Sequence, residues 1–118
     1  MSLKLSSIVL DCHDPQKLSE FWSAAIGYNV TGVFNQYVVL NDPSRQGPAL
    51  ILQGVAEPRT GKNRMHWDWL APSAEEQQAE IARLEELGAT RVSELHEMGI
   101  QWCVMQDPEG NEFCVAAH

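Results

Sequence analysis

Basic residues are scarce in this chain. Of its 118 residues, eight are Lys or Arg against sixteen Asp or Glu, a formal net charge of −8 at pH 7 with a pI near 4.8. Binding a polyanion requires a basic footprint that neutralises phosphates, so this balance excludes nucleic acid as a partner. Three of the eight, Arg59, Lys62 and Arg64, sit together in one short segment. Long apolar runs are also missing. Nothing approaches the roughly 18 uninterrupted apolar residues of a membrane span, and no basic region followed by a long apolar core opens the chain, so neither a membrane nor secretion is expected. Cysteine is limited to Cys12, Cys103 and Cys114, an odd number without CxxC spacing. Free thiols in a reducing compartment fit that pattern better than a disulfide framework, and the cytoplasm is the expected location. Phosphate loops, a Ser-His-Asp order and dinucleotide fingerprints are all absent.

What the chain does have is a repeat. Gln36-Tyr37-Val38-Val39-Leu40-Asn41-Asp42-Pro43 returns as Gln101-Trp102-Cys103-Val104-Met105-Gln106-Asp107-Pro108, with four of eight positions identical. The signals around the two segments recur in the same order. Leu3 to Leu10 reads as a strand. Asp14-Pro15 then supplies a helix cap and a proline at the first helical position, where its missing N–H costs nothing. Leu18, Phe21, Trp22, Ala25 and Ile26 form one helical stripe, and Gly27 supplies the left-handed stop. Tyr28–Phe34, Gln36–Asn41 and Ala49–Val55 follow as strands. In the second half Met65–Leu70 is a strand and Ser73 to Glu76 a capping box. Ile81, Leu84 and Leu87 give a sparser stripe that ends at Gly88. Ala89–His96, Gln101–Gln106 and Glu112–Ala116 complete the strands. The order is βαβββ twice, an α+β fold of eight strands and two helices. Residues 1–56 form the first module, 57–63 the linker and 64–118 the second module. Each copy must bury its apolar face against something.

A tandem βαβββ pair with Asp-Pro before the first helix, Phe21-Trp22 within it and Ile26-Gly27-Tyr28 at its end resembles the vicinal oxygen chelate superfamily. That group holds glyoxalase I, extradiol dioxygenases, and fosfomycin- and bleomycin-resistance proteins. Asp107-Pro108-Glu109-Gly110-Asn111-Glu112-Phe113 is similar to its closing signature, and Lys62 to Asp68 resembles its glyoxalase-like branch. The resemblance implies two curved sheets around a cup that holds a small organic ligand or substrate, and a homodimer. It also implies that any metal sits on one residue from each of the first, fourth, fifth and eighth strands. Carried onto this sequence, those residues are Ser7, Gln53, His66 and Cys114.

Ser7 is a poor ligand because its hydroxyl stays protonated, and a Cys114 thiolate is soft and biases a site toward Zn or Cu(I). No cofactor and no complete metal site are therefore expected. If a divalent metal does bind, Gln53, His66 and Cys114 hold it. Strand alternation puts Asp68 and Leu70 on the face of His66, with Trp67 and Trp69 on the other. His66 and Asp68 then form a candidate catalytic acid–base pair. The plainer alternatives are a hydrogen-bonded core histidine, and an Asp68 paired with Arg64 or a backbone amide. Glu112 and Cys114 share the ligand face by the same alternation, although Glu112 also reads as a solvated rim charge. Trp102 would stack on a planar ligand if its strand turned that way. Ser7, Gln53, His66, Asp68, Trp102, Glu112 and Cys114 are thus the candidate ligand-binding set. Two functions follow: a binder of a small organic molecule without a complete metal site, or an enzyme. The enzyme would be a metal-dependent glyoxalase-like lyase, isomerase or dioxygenase, or would use His66 and Asp68 as acid and base.

Overall fold

Two side chains set where the helices begin. The Asp14 carboxylate accepts the Lys17 backbone N–H at 3.1 Å, and the Ser73 hydroxyl accepts that of Glu76 at 3.1 Å. Each satisfies an amide that the first helical turn leaves unpaired. The helices they open are α1 (Pro15–Ile26) and α2 (Ala74–Leu87). Gly27 and Gly88 end them in the left-handed region at φ 76° and 120°, where a Cβ is strained. The computed structural model describes residues 2–97 and 99–117; Met1, Met98 and His118 lie outside the described residues.

The strands are β1 (Ser7–Cys12), β2 (Asn29–Phe34), β3 (Tyr37–Asn41), β4 (Ala49–Gly54), β5 (Trp67–Leu70), β6 (Thr90–Glu97), β7 (Ile100–Gln106) and β8 (Glu112–Ala117). The element order is βαβββ twice, as the repeat predicts. The first strand differs from the expected Leu3–Leu10. It starts at Ser7, where its parallel partner Ala49 begins, while Leu3 and Leu5 are exposed. An apolar side chain adds nothing to a ladder that has no strand beside it.

The chain divides into two compact units, Met1–Thr60 and Gly61–His118. Each holds a mixed four-stranded sheet, ordered β1-β4-β3-β2 in the first and β5-β8-β7-β6 in the second. The outer pairs β1/β4 and β5/β8 are parallel and the remaining pairs antiparallel. The repeat extends to an irregularity that the sequence does not announce. β2 bulges between Val30 and Gly32, and β6 bulges at the matching place between Arg91 and Ser93. A bulge increases local twist, so both sheets curve at the same point.

Each helix covers one face of its own sheet. In the first unit Leu18, Phe21 and Trp22 are buried together with Leu40, Leu50 and Leu52. In the second, Ile81 and Leu84 are buried with Met105, Phe113 and Val115. Leu87, expected in that stripe, is 38% exposed because it occupies the last helical turn. Gln77 is 1% exposed and ties α2 to the sheet, its amide donating to the carbonyls of Gln101 at 3.1 Å and Val115 at 2.9 Å. Among the described residues no helix is long and apolar enough to cross a membrane.

The turn into β8 is built around one carboxylate. Asp107, 3% exposed, accepts the backbone N–H groups of Glu109 (2.9 Å) and Asn111 (3.0 Å) and the Asn111 amide. It therefore sets which residue of β8 faces which residue of β7. Asp107→Ala strands these buried donors and is expected to cost about 2–4 kcal/mol, with Asp107→Asn losing less because one acceptor oxygen survives. Urea unfolding followed by circular dichroism checks both; an Asp107→Ala variant as stable as the parent would show that the turn does not depend on this carboxylate.

Candidate functional site

The helix-free face of the second sheet carries the site. Parallel pairing sets Asp68 of β5 beside Cys114 of β8 and Leu70 beside Ala116. Antiparallel pairing continues these rows, Cys114 to Val104 and Ala116 to Trp102 on β7, then Val104 to Ser93 and Trp102 to Leu95 on β6. Side chains alternate between faces, so one face bears two parallel rows. One is Asp68, Cys114, Val104 and Ser93. The other is Leu70, Ala116, Trp102 and Leu95. The rows lie about 7 Å apart, two residues along each strand. Phe113, Val115, Cys103 and Met105 point the other way, into the core beneath α2. Trp67 and Trp69 share that side, their rings 5.1 Å apart.

His66 immediately precedes β5 instead of lying within it. Its Nδ1 is 3.2 Å from Asp68 Oδ1, with the two side chains 44% and 50% exposed. Cys114 is 6% exposed, and donor atoms of His66, Asp68 and Cys114 all lie within 4.8 Å of one another. The exposure of His66 rules out the core histidine. Of the two roles considered for Asp68, the partner it takes here is His66.

Burial and the adjacent Asp68 carboxylate push the Cys114 thiol up to about 11, with a hydrogen bond to that carboxylate further favouring the protonated form. Lys62 pulls weakly in the opposite direction. A thiol held this way is a poor nucleophile at neutral pH.

Glu112 is placed differently from a solvated rim charge. Its side chain is only 14% exposed and accepts a hydrogen bond from Lys62 Nζ at 3.0 Å, while its backbone N–H donates to Asn63 Oδ1 at 3.2 Å. Glu112 thus holds the segment before β5 against the start of β8. The ion pair itself adds little, because Lys62 is 72% exposed.

In the first unit the positions that match His66, Asp68 and Cys114 carry other side chains, and the polar groups of its open face, Asp11, Gln53 and Tyr37, lie in a different row. Ser7 is half-buried opposite Ala49. Gln53 pairs with Asp11 and Tyr37, four residues beyond the row of Ser7, or about 13 Å along the strand. The position that matches Cys114 in register is Ile51, paired with Val9 as Cys114 is paired with Asp68. Gln53 matches Ala116 instead. Its assignment beside Ser7 is therefore corrected: being on the fourth strand was not enough without the register. A serine hydroxyl is a poor donor and an isoleucine offers none, so the positions matching His66 and Cys114 do not complete a four-donor set.

Alternation along one strand is enough to place Leu70 on this face, but it does not reach Leu95, Val104 or Ser93 and does not fix the face of Trp102. The signal was present in the short hairpin. Antiparallel partners keep a constant sum of residue numbers, so a turn that pairs Gln106 with Glu112 also pairs Trp102 with Ala116, on the Cys114 face.

Solved structures share this architecture. The chain is similar to a glyoxalase/bleomycin resistance protein/dioxygenase family enzyme from Burkholderia phytofirmans PsJN, with a TM-score of 0.83 at 15% identity over 98% of both chains. A glyoxalase/bleomycin resistance protein/dioxygenase from Nocardioides superposes at 0.79, with 17% identity over 99% of this chain and 84% of that one. Lactoylglutathione lyase from Agrobacterium tumefaciens superposes at 0.70, with 19% identity over 97% and 92%. At these identities the likeness concerns the fold. No curated protein matches the sequence significantly. Residues 7–116 match the glyoxalase-like domain, and the chain belongs to that family, within the vicinal oxygen chelate superfamily.

The Cys114 environment has a measurable consequence. A thiol pKa raised from 9.0 to about 11 means the native state favours the protonated form. The resulting stability is fully present below pH 9 and is lost as pH rises through 11. Metal-free protein should lose stability across that window more steeply than a Cys114→Ala variant. At pH 8 its Cys114 should alkylate about 100-fold more slowly than a free cysteine from the thiolate fraction alone. Urea melts against pH and mass-spectrometric alkylation rates check the two; rapid labelling of Cys114 in the folded protein would contradict the assignment.

Proposed function

We propose that this glyoxalase-like domain binds a small organic molecule on the open face of its second sheet, without the four-donor metal set described above. The observation that supports the reading is the pair of rows across that face. Leu70, Trp102 and Leu95 leave apolar surface open, with Leu70 64% and Leu95 49% exposed. His66 and Asp68 offer a hydrogen-bonding pair at the neighbouring end. A planar apolar body would lie against Trp102, and a polar head about 12 Å away, two strands across and one row along, would meet Asp68 and His66. Most of a small ligand's affinity comes from apolar contact, and a few placed polar groups orient it.

A second reading has its own observation. The Asp68 carboxylate, 3.2 Å from His66 Nδ1, orients the ring for proton exchange with a bound ligand. Turnover would make the domain an acid–base enzyme that uses His66 and Asp68. The cytoplasmic reading is supported by three buried cysteines that form no disulfide. A homodimer is favoured by β2, an edge strand that exposes Val30, Val33 and Phe34.

A screen of aromatic fragments bearing hydroxyl or amine groups, read by protein-observed NMR, tests the binding proposal. Hits are expected to shift His66, Asp68 and Trp102 together. His66→Ala should weaken them by about tenfold while changing stability by less than about 0.5 kcal/mol, as an exposed side chain does. Hits that leave this face unshifted, or that bind His66→Ala as well as the parent, would sink the reading. Light scattering at micromolar concentration should return twice the 13.2 kDa of one chain; a single-chain mass across that range removes the dimer.

A further inference from the structure

The open face of the first sheet carries a row of side chains that has no counterpart in the second. Asp11 of β1 pairs with Gln53 of β4, Gln53 with Tyr37 of β3, and Tyr37 with Phe34 of β2. In the second sheet the same positions hold Leu70, Ala116, Trp102 and Leu95. We infer that Asp11, Gln53, Tyr37 and Phe34 form a binding site for a small organic ammonium ion of the arylalkylamine class. The site lies wholly within the first unit and shares no residue with the second-sheet face proposed above.

The polar groups of this row have no task within the fold. Among the described residues the Asp11 carboxylate makes no ion pair, and neither the Gln53 amide nor the Tyr37 hydroxyl has a hydrogen-bond partner. Only the main-chain carbonyl of Gln53 is used, accepting from Cys12 Sγ at 3.7 Å. Other aspartates of the chain are structural: Asp14 caps a helix, and Asp42 and Asp107 gather turn amides. Asp11 does none of this. It stands exposed on a regular strand, where aspartate is disfavoured.

The two ends of the row differ in kind. Neighbouring strands lie about 4.8 Å apart, so Asp11 and Gln53 are adjacent acceptors that can take one ammonium group through charge-assisted hydrogen bonds. At the other end Tyr37 and Phe34 oppose each other beside the β2–β3 turn, with Phe34 62% exposed. The Phe34 ring lies over Gly32, where an added Cβ would sit 2.5 Å from its Cε2. Gly32 therefore leaves the ring room above the strand, and a larger residue would push it away. About 10 Å separates Asp11 from Tyr37, two strands across, a span that suits an ammonium and a ring joined by a short alkyl chain. Charge selects the occupant. An unpaired carboxylate repels an anionic ligand, the net charge of −8 adds to that preference, and aromatic faces attract cations.

Titrating the full chain with 4-phenylbutylamine, and with 4-phenylbutyrate as an anion of the same shape, tests the site by protein-observed NMR. The amine should shift Asp11, Gln53, Tyr37 and Phe34 together and saturably, and the acid should shift none of them. Asp11→Asn should weaken the amine about tenfold through loss of the charge-assisted contact. Phe34→Ser should weaken it about threefold through loss of aromatic surface. Both altered side chains are exposed, and far-ultraviolet circular dichroism matching the parent confirms that the variants fold. His66→Ala should leave the affinity read from the first-sheet resonances unchanged. Three results overturn the inference: first-sheet resonances that do not respond to the amine, equal shifts with the acid, or unchanged affinity in either Asp11→Asn or Phe34→Ser. The second-sheet face is read from His66, Asp68 and Trp102, so the two sites fail separately.

Discussion

The register between β5 and β8 places every chemically active group of this protein. These strands are parallel, so no hairpin ties them directly, and their alignment is held by what flanks them. Asp107 fixes the turn that pairs β8 with β7. Glu112 and Asn63 fasten the start of β8 to the segment leading into β5. With the strands held so, Asp68 lies beside Cys114. A slip of one residue would set Phe113 on the open face and bury a carboxylate beneath α2, where an unpaired charge is costly. The apolar row through Leu70, Trp102 and Leu95 follows from the same alignment.

The two halves show how one frame can hold different chemistry. Both have a mixed sheet, a matching bulge, and a turn in which an aspartate gathers backbone amides. Asp42 does for the first half what Asp107 does for the second, and bonds from Ser44, Gln46 and Gly47 hold its carboxyl down at about 2. The helix-facing residues are apolar in each, as burial demands. The open faces are under no such constraint, and there the copies diverge: Ser7, Val9 and Ile51 stand where His66, Asp68 and Cys114 stand. Packing preserved the repeat, and the exposed face was free to change.

Asp68 carries more than one interaction in this arrangement. It hydrogen-bonds His66 on its exposed side and raises the Cys114 thiol on its buried side. Its charge therefore disfavours the Cys114 thiolate, while its hydrogen bond orients the His66 ring. The apolar row beside it supplies surface.

The sequence by itself determined the elements and their order. Asp14 and Ser73 capped the helices, Gly27 and Gly88 ended them, and the repeated Gln-to-Pro segment set the number of strands, because these are local signals of a few residues each. Alternation along β5 likewise separated His66 and Asp68 from Trp67 and Trp69. What lay beyond it was anything dependent on two strands at once. The matching bulges, the exchange of Gln53 for Ile51 as the partner of Cys114, and the pairing that seals Glu112 against Lys62 all arise from register. So does the approach of Cys114 to Asp68 across 46 residues of chain. Tertiary structure decided these, since a backbone hydrogen-bond ladder is indifferent to side-chain identity and its offset is set by turns, flanking contacts and the core together.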